Sequence, residues 1–143
     1  MNNSYQNDNN YDPKKLIKNN KDIFFIEMVK IREKMLENYL KINSKVVDLC
    51  CGSGAYLENV KKFTNNIIAV DNTPRYIDYI NKNYPNVKTI LSDATNLSKI
   101  NNISVDLVFC YSSLYYIKDI EGVISEINRI LKKEGIAILE YGN

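Results

Sequence analysis

Histidine and tryptophan are absent from the 143 residues, and cysteine is sparse, at three. Without histidine the chain can build neither a Ser-His nor a Cys-His catalytic unit, nor an imidazole-ligated metal site. Cys50, Cys51 and Cys110 lack the C-x-x-C spacing of a zinc site and make no even disulfide framework, so no metal and no structural disulfide are expected. No apolar run approaches the roughly 20 residues that cross a bilayer. The polar first ten residues, five of them asparagine, have neither the apolar core of a signal peptide nor the arginines of a transit peptide. A cytoplasmic protein without a membrane partner is the expectation. An excess of one charge is missing too: 19 Lys and Arg against 17 Asp and Glu leave +2. The pairs Lys14-Lys15, Lys61-Lys62 and Lys132-Lys133 read as solvated faces, and give no support for a nucleic-acid partner, which needs a denser basic stripe.

What is present is the length and apolar content of one globular domain. Residues 1–13 read as a disordered Asn-rich tail closed by Pro13, and residues 14–143 as the folded domain. Over residues 22–40 the apolar positions recur at helical spacing. Phe24, Met28, Ile31, Met35 and Tyr39 form one stripe, with Phe25, Val29, Leu36 and Leu40 beside it. Short apolar runs then alternate with helical segments. Strands are expected at 45–50, 66–70, 87–91, 105–110 and 136–139, with helices at 55–63, at 75–83 after Pro74, and at 120–131, the last stopped by Gly135. Continuous apolar strands alternating with helices imply a mainly parallel sheet covered on both faces. Right-handed crossovers wind it as an α/β, doubly wound, Rossmann-like domain of strand order 3-2-1-4-5.

In such a sheet the ligand crevice lies at the carboxyl ends of the strands. Asp48 lies in strand one with Gly52 and Gly54 just beyond it, Asp71 ends strand two, Asp93 follows strand three, and Tyr111 with Ser112 follows strand four. That joint pattern is more specific than any Gly-rich loop alone. The segments VVDLCCGSG, IIAVDN, ILSDATNL and VDLVFCYSSLYYI resemble the first four motifs of the class I S-adenosylmethionine-dependent methyltransferases, and EINRILKKEGIAIL resembles the helix and strand that follow. The resemblance covers roughly residues 45–140. It implies S-adenosylmethionine as cofactor and methyl transfer as the activity, with a small molecule as the expected acceptor.

Glycines at 52 and 54 allow a sharp turn and close backbone approach to a ligand. Cys50 stands where the family has its first glycine. A carboxylate at Asp71, 19 residues after Gly52, can accept bonds from both ribose hydroxyls, with Asn72 beside it; the rival role is a cap for the helix starting near Thr73-Pro74. The resemblance implies that Asp93 and the backbone of Ala94 meet the adenine edge, against a simple turn aspartate. Asp48 organises the loop and the cofactor's ammonium end, or only bonds nearby amides. A nicotinamide dinucleotide would want a third glycine where Leu57 stands, and that reading loses. On the acceptor side Tyr111 and Tyr115 are the candidates, with packing as their alternative; no general base is identified.

The chain stops after the fifth strand, whereas the resemblance implies two more. Strand five is then an uncovered edge, so the expectation is a chain that is truncated, naturally minimal, or covered there by a second copy or another chain. A non-catalytic or partner-dependent cofactor-binding subunit is accordingly the alternative function.

Overall fold

The structure is a computed structural model and describes residues 23–142. The tail expected at 1–13 and the start of the first helix at Asp22 lie outside the described residues.

Five strands form one sheet of order β3-β2-β1-β4-β5: β1 (Val46–Leu49), β2 (Ile67–Asp71), β3 (Lys88–Leu91), β4 (Val105–Cys110) and β5 (Leu131–Leu139). Every pairing is parallel, with Val46 level with Ile67 on one side and Leu107 on the other. The central strands β1 and β2 are buried along their whole length, which is why they read as nearly continuous apolar runs, interrupted only by Asp48 and Asp71, rather than as alternating ones.

Strand alternation sorts the core into two layers. On one face Val46, Ala69, Leu107 and Phe109 pack with α1 (Ile23–Tyr39), α2 (Leu57–Val60) and α3 (Pro74–Asn83), through Leu36, Leu57, Ile77 and Ile80. On the other Val47, Leu49, Val70 and Val108 meet α4 (Ile120–Ile130) through Val123, Ile127 and Ile130. Helices on both faces of a parallel sheet are the doubly wound arrangement. Pro74 opens α3, as its fixed φ and missing N–H suit a first helical position. No described helix is long and apolar enough to cross a membrane.

Three expectations need correction. The stripe of Phe24, Ile31, Met35 and Tyr39 faces solvent, Phe24 with 77% of its surface exposed, while the neighbouring line of Val29 and Leu36 is buried together with Arg32. The segment 55–63 is helical only at Leu57–Val60, because the loop before it makes turns up to Gly54, whose carbonyl accepts from Leu57 N. Finally α4 ends at Ile130, and β5 begins at once with Leu131. Val105 pairs with Leu131 and Leu107 with Ile136, so two steps on β4 face five on β5. Gly135 sits in this bulge rather than at a helix end. A Cβ there would come within 3.0 Å of the carbonyl oxygens of Lys132 and Val105, so the site needs glycine for close backbone approach.

Candidate functional site

The carboxyl ends of β1, β2 and β4 open into a cavity of about 950 Å³, at the upper end of the usual range for ligand pockets. Its floor is the β1–α2 loop. Three residues of that loop hold left-handed backbone: Cys50 at φ 55°, Gly52 at 51° and Gly54 at 77°. Two are glycine, for which this is free; at Cys50 the clash of Cβ with the following carbonyl costs about 1–2 kcal/mol. The glycines differ in purpose. A Cβ on Gly52 would meet nothing within 4 Å, because the position faces the open cavity, whereas one on Gly54 would run into Leu57. Gly54 lies behind the loop, outside the cavity lining; its place is in the packing of loop on helix.

Asp71, at the end of β2, fastens this loop. Its Oδ2 accepts from Gly52 N at 2.9 Å and its Oδ1 from Thr73 N at 2.9 Å. One carboxylate thus holds the loop and turns the chain into α3, while its side chain lines the cavity. Thr73, the residue before α3, makes no side-chain cap of its own. Asp48 stands opposite. It is buried in the cavity wall, and its Oδ2 has no hydrogen-bond partner among the described residues. Burial, then the neighbouring Cys50 and Asp71, push its carboxyl well above the ordinary range. An unpartnered buried carboxyl is costly unless something completes it.

At the third strand end Asp93 Oδ1 accepts from Thr95 N at 2.9 Å and Thr95 Oγ1 at 2.7 Å. These bonds, backbone first, hold its pKa below the ordinary range, with a further bond from the Asn72 side chain. Asn72 and Asp93 thereby join the ends of β2 and β3. Both line the cavity, as does the buried Ala94.

The side at β4 is built from aromatic rings around one arginine. Tyr111 packs edge-on against Tyr56, ring centres 5.0 Å apart, and its hydroxyl donates to the Arg32 carbonyl at 3.1 Å. Burial, then Tyr56, push its phenol above the ordinary range. The Arg32 guanidinium lies 5.3 Å from the centre of the Tyr111 ring. It donates to Tyr56 Oη at 3.1 Å, to Ser112 Oγ at 2.6 Å and to Glu140 Oε1 at 2.6 Å. Arg32 is only 8% exposed and lines the cavity. Through it α1 is tied to the ends of α2, β4 and β5. Tyr115 is placed elsewhere: it is exposed, stacked on Tyr116 and outside the lining, while Tyr116 lines the rim with Ser112, Ser113 and Lys118.

Of the nine cofactor-side residues read from the sequence, the cavity brings together eight: Asp48, Cys50, Gly52, Asp71, Asn72, Asp93, Ala94 and Tyr111. Arg32 and Glu140 were missed. A signal for Arg32 existed, since it shares a helical face with Val29 and Leu36 at spacings of three and four.

The sequence profile of the family described as "Methyltransferase domain" matches residues 47–139. The Campylobacter jejuni ubiquinone/menaquinone biosynthesis C-methyltransferase UbiE is 26% identical over 117 residues, covering 76% of this chain and 49% of the relative. The PH0226 protein of Pyrococcus horikoshii superposes with a TM-score of 0.72 at 26% identity, covering 83% of this chain and 58% of that one. The complex of the Haloferax volcanii Trm112 methyltransferase activator with a methyltransferase supplies a third likeness, with a TM-score of 0.64 and 22% identity over 79% of this chain and 57% of the other. The chain spans about half the length of the curated relatives it matches. Matched over most of its length by the family profile, with the family's strand order, it belongs to the class I S-adenosylmethionine-dependent methyltransferases.

Proposed function

We propose that this chain holds S-adenosylmethionine in the cavity above β1, β2 and β4 and passes its methyl group to a small-molecule acceptor. The observation that carries the reading is the buried, unpartnered Asp48 Oδ2 beside an open Gly52. Together they make a cradle with one carboxylate that only a ligand completes. Asp48 would take the ammonium end, and the Gly52–Ser53 backbone the atoms next to it. Asp71 still has lone pairs for ribose hydroxyls beyond its two amide bonds, and Asn72 flanks it. Asp93 with the Ala94 backbone would meet the adenine edge.

Bound there, S-adenosylmethionine supplies a methyl group already activated on a sulfonium. The protein's share is to align donor and acceptor and to keep water out, and alignment alone contributes roughly 7–11 kcal/mol in favourable cases. The Tyr111 ring offers an electron-rich face to a cation. Its position is fixed by Arg32 and Tyr56. Ser112, Ser113 and Tyr116 at the rim are the groups that an acceptor meets first.

A small acceptor is supported by the relative UbiE, named for a quinone-biosynthetic C-methylation, and by a net charge of only +2. A cytoplasmic location accords with that. The test is calorimetry with S-adenosylhomocysteine followed by transfer of radiolabelled methyl to a panel of small acceptors. Micromolar binding and label in one of them are expected; absence of binding refutes the reading, and transfer confined to RNA or protein refutes the acceptor class.

A second reading, a cofactor-binding subunit active only with a partner, has one observation in its favour. The nine-residue β5 pairs with β4 alone among the described strands, leaving its outer edge open, and edges of that length invite a neighbour. The Haloferax neighbour was solved with an activator. Cofactor binding without transfer, with transfer appearing on adding a second protein or on self-association, favours this reading.

A further inference from the structure

Asp48 lies opposite Phe109 across the β1–β4 pairing, so one further step brings Leu49 level with Cys110 and puts Cys50 one residue beyond. With parallel strands about 4.8 Å apart and a rise of about 3.3 Å per residue, the two cysteine Cα atoms are roughly 6 Å apart, inside the span that a disulfide bridges. Strand alternation alone would not make the thiols meet. Leu49 faces the second core layer, so a regular Cys50 would face the first. Its left-handed φ of 55° reverses that: Cys50 packs against the layer that contains Cys110. Cys51 goes the other way, into the first layer, with its sulfur near the Gly52 carbonyl at 3.5 Å.

Access is divided between the pair. Cys50 is half-buried and lines the cavity, while Cys110 is buried behind it and does not line it. Hydrogen bonding to Cys50, and then burial, hold the Cys110 thiol protonated above the ordinary range. Cys50, which lines the cavity, is therefore the sulfur that an oxidant reaches first.

We propose that Cys50 and Cys110 are a reversible oxidation site, closing to a disulfide under peroxide and changing the wall of the cofactor cavity when they do. The proposal rests on the reading that the cavity binds S-adenosylmethionine. Cys50 sulfur attacks hydrogen peroxide, the O–O bond breaks, and water leaves with the thiol proton, giving the sulfenic acid. Cys110 sulfur then attacks Cys50 sulfur; the S–O bond breaks and a second water leaves with the Cys110 proton. Peroxide is reduced by two electrons and the two thiols are oxidised by two. Bonding draws the sulfurs to roughly 2 Å, turning the Cys50 side chain from the cavity it lines towards Cys110 and tying the loop, two residues before Gly52, to the end of β4.

The test uses the whole chain, reduced or treated with hydrogen peroxide, with S-adenosylhomocysteine affinity read by calorimetry and disulfides mapped by non-reducing peptide mass spectrometry. A Cys50–Cys110 linked peptide is expected, with affinity weakened roughly tenfold, the scale of one charge-assisted hydrogen bond, and restored by dithiothreitol. Cys110→Ala is expected to bind as the reduced protein does before and after peroxide. The mapping needs no variant, so it stands even if Cys110→Ala folds poorly. Normal binding when reduced, with no such link after peroxide, overturns this proposal alone, as does a link that leaves affinity unchanged. A reduced protein that binds no S-adenosylhomocysteine overturns the cofactor reading and the switch with it.

Discussion

Replacing Asp71 separates what the residue does for the fold from what it does for a ligand. Asp71→Ala removes the acceptor of two backbone amides, Gly52 N and Thr73 N, each held at 2.9 Å. A bond to a charged group is worth about 1.5–3 kcal/mol, but both bonds are only part-buried, so with water replacing some of each the combined loss is about 2–3 kcal/mol. For a domain of this size each kcal/mol moves the midpoint by about 3–4 °C, so the ligand-free variant melts about 6–12 °C lower. S-adenosylhomocysteine at 100 times its Kd stabilises the wild type by about 2.7 kcal/mol, or about 8–10 °C. Losing two ribose bonds at about 1.5 kcal/mol each weakens binding roughly 150-fold, so the same ligand shifts the variant by only about 1 °C. Asp71→Asn keeps the shape and one acceptor, and should lose about half the stability and most of the ligand shift. Scanning fluorimetry on the three proteins with and without ligand reads all of this. Preserved ligand shifts in both variants would refute the ribose role; unchanged ligand-free midpoints would refute the loop-fastening role.

Other outcomes follow from neighbouring residues. Asp48 is held protonated in the fold at pH values where the unfolded chain, with a carboxyl pKa of about 3.9, has lost that proton. It therefore lowers stability progressively as pH rises from about 4 towards the folded pKa. Asp48→Asn should gain stability over the ligand-free wild type from pH 4 to 7 while losing cofactor affinity; parallel melting curves across that range would contradict the assignment. Wild-type binding should release a proton as the ammonium end ionises Asp48, visible as a buffer-dependent binding enthalpy. Gly54→Ala forces a Cβ against Leu57 at φ 77°, and denaturant unfolding should show a loss of about 2–4 kcal/mol. Arg32→Met strands Glu140, whose side chain is 35% exposed, so the loss is set below the fully buried range, at about 2–3 kcal/mol. Arg32→Met with Glu140→Met should recover most of it, and a double variant no better than the single would show that the pair is not the reason.

The sheet was legible because both faces of β1, β2 and β4 are covered, which leaves a continuous apolar run in the sequence, and because the crossover rule fixes the order once the strands are found. The strand-end residues were legible for the same reason: Asp71 ends its run, Asp93 and Tyr111 follow theirs, and Asp48 is the polar residue set within the first. The face of α1 was not. Arg32 is buried because Tyr56, Ser112 and Glu140 receive its guanidinium, at separations of 24, 80 and 108 residues, and hydrophobic periodicity carries no record of distant partners. The broader apolar stripe pointed the helix the wrong way. Gly54 and Tyr115 illustrate a second limit, since motif spacing says which residues sit near a site but not whether they face it. At β5 the sequence offers Gly135 as a helix stop, but a glycine that relieves a close backbone approach in a bulge leaves the same letter in the chain.

The tie between Arg32 and Glu140 joins positions 108 residues apart. Closing a loop of that length from an open chain costs roughly 4 kcal/mol in entropy, more than the pair returns, so it cannot start folding. It forms once β1 and β4 have met and β5 has been added, when Glu140 is already beside Ser112. Until then Arg32 is hydrated, and only the apolar line of Val29, Leu36 and Leu40 seats α1 on the sheet. Since α1 supplies Phe25, Val29 and Arg32 to the cavity wall, the Arg32 side of that wall is complete only once β5 is in place. A chain caught before β5 docks would carry most of its strands and no competent cavity.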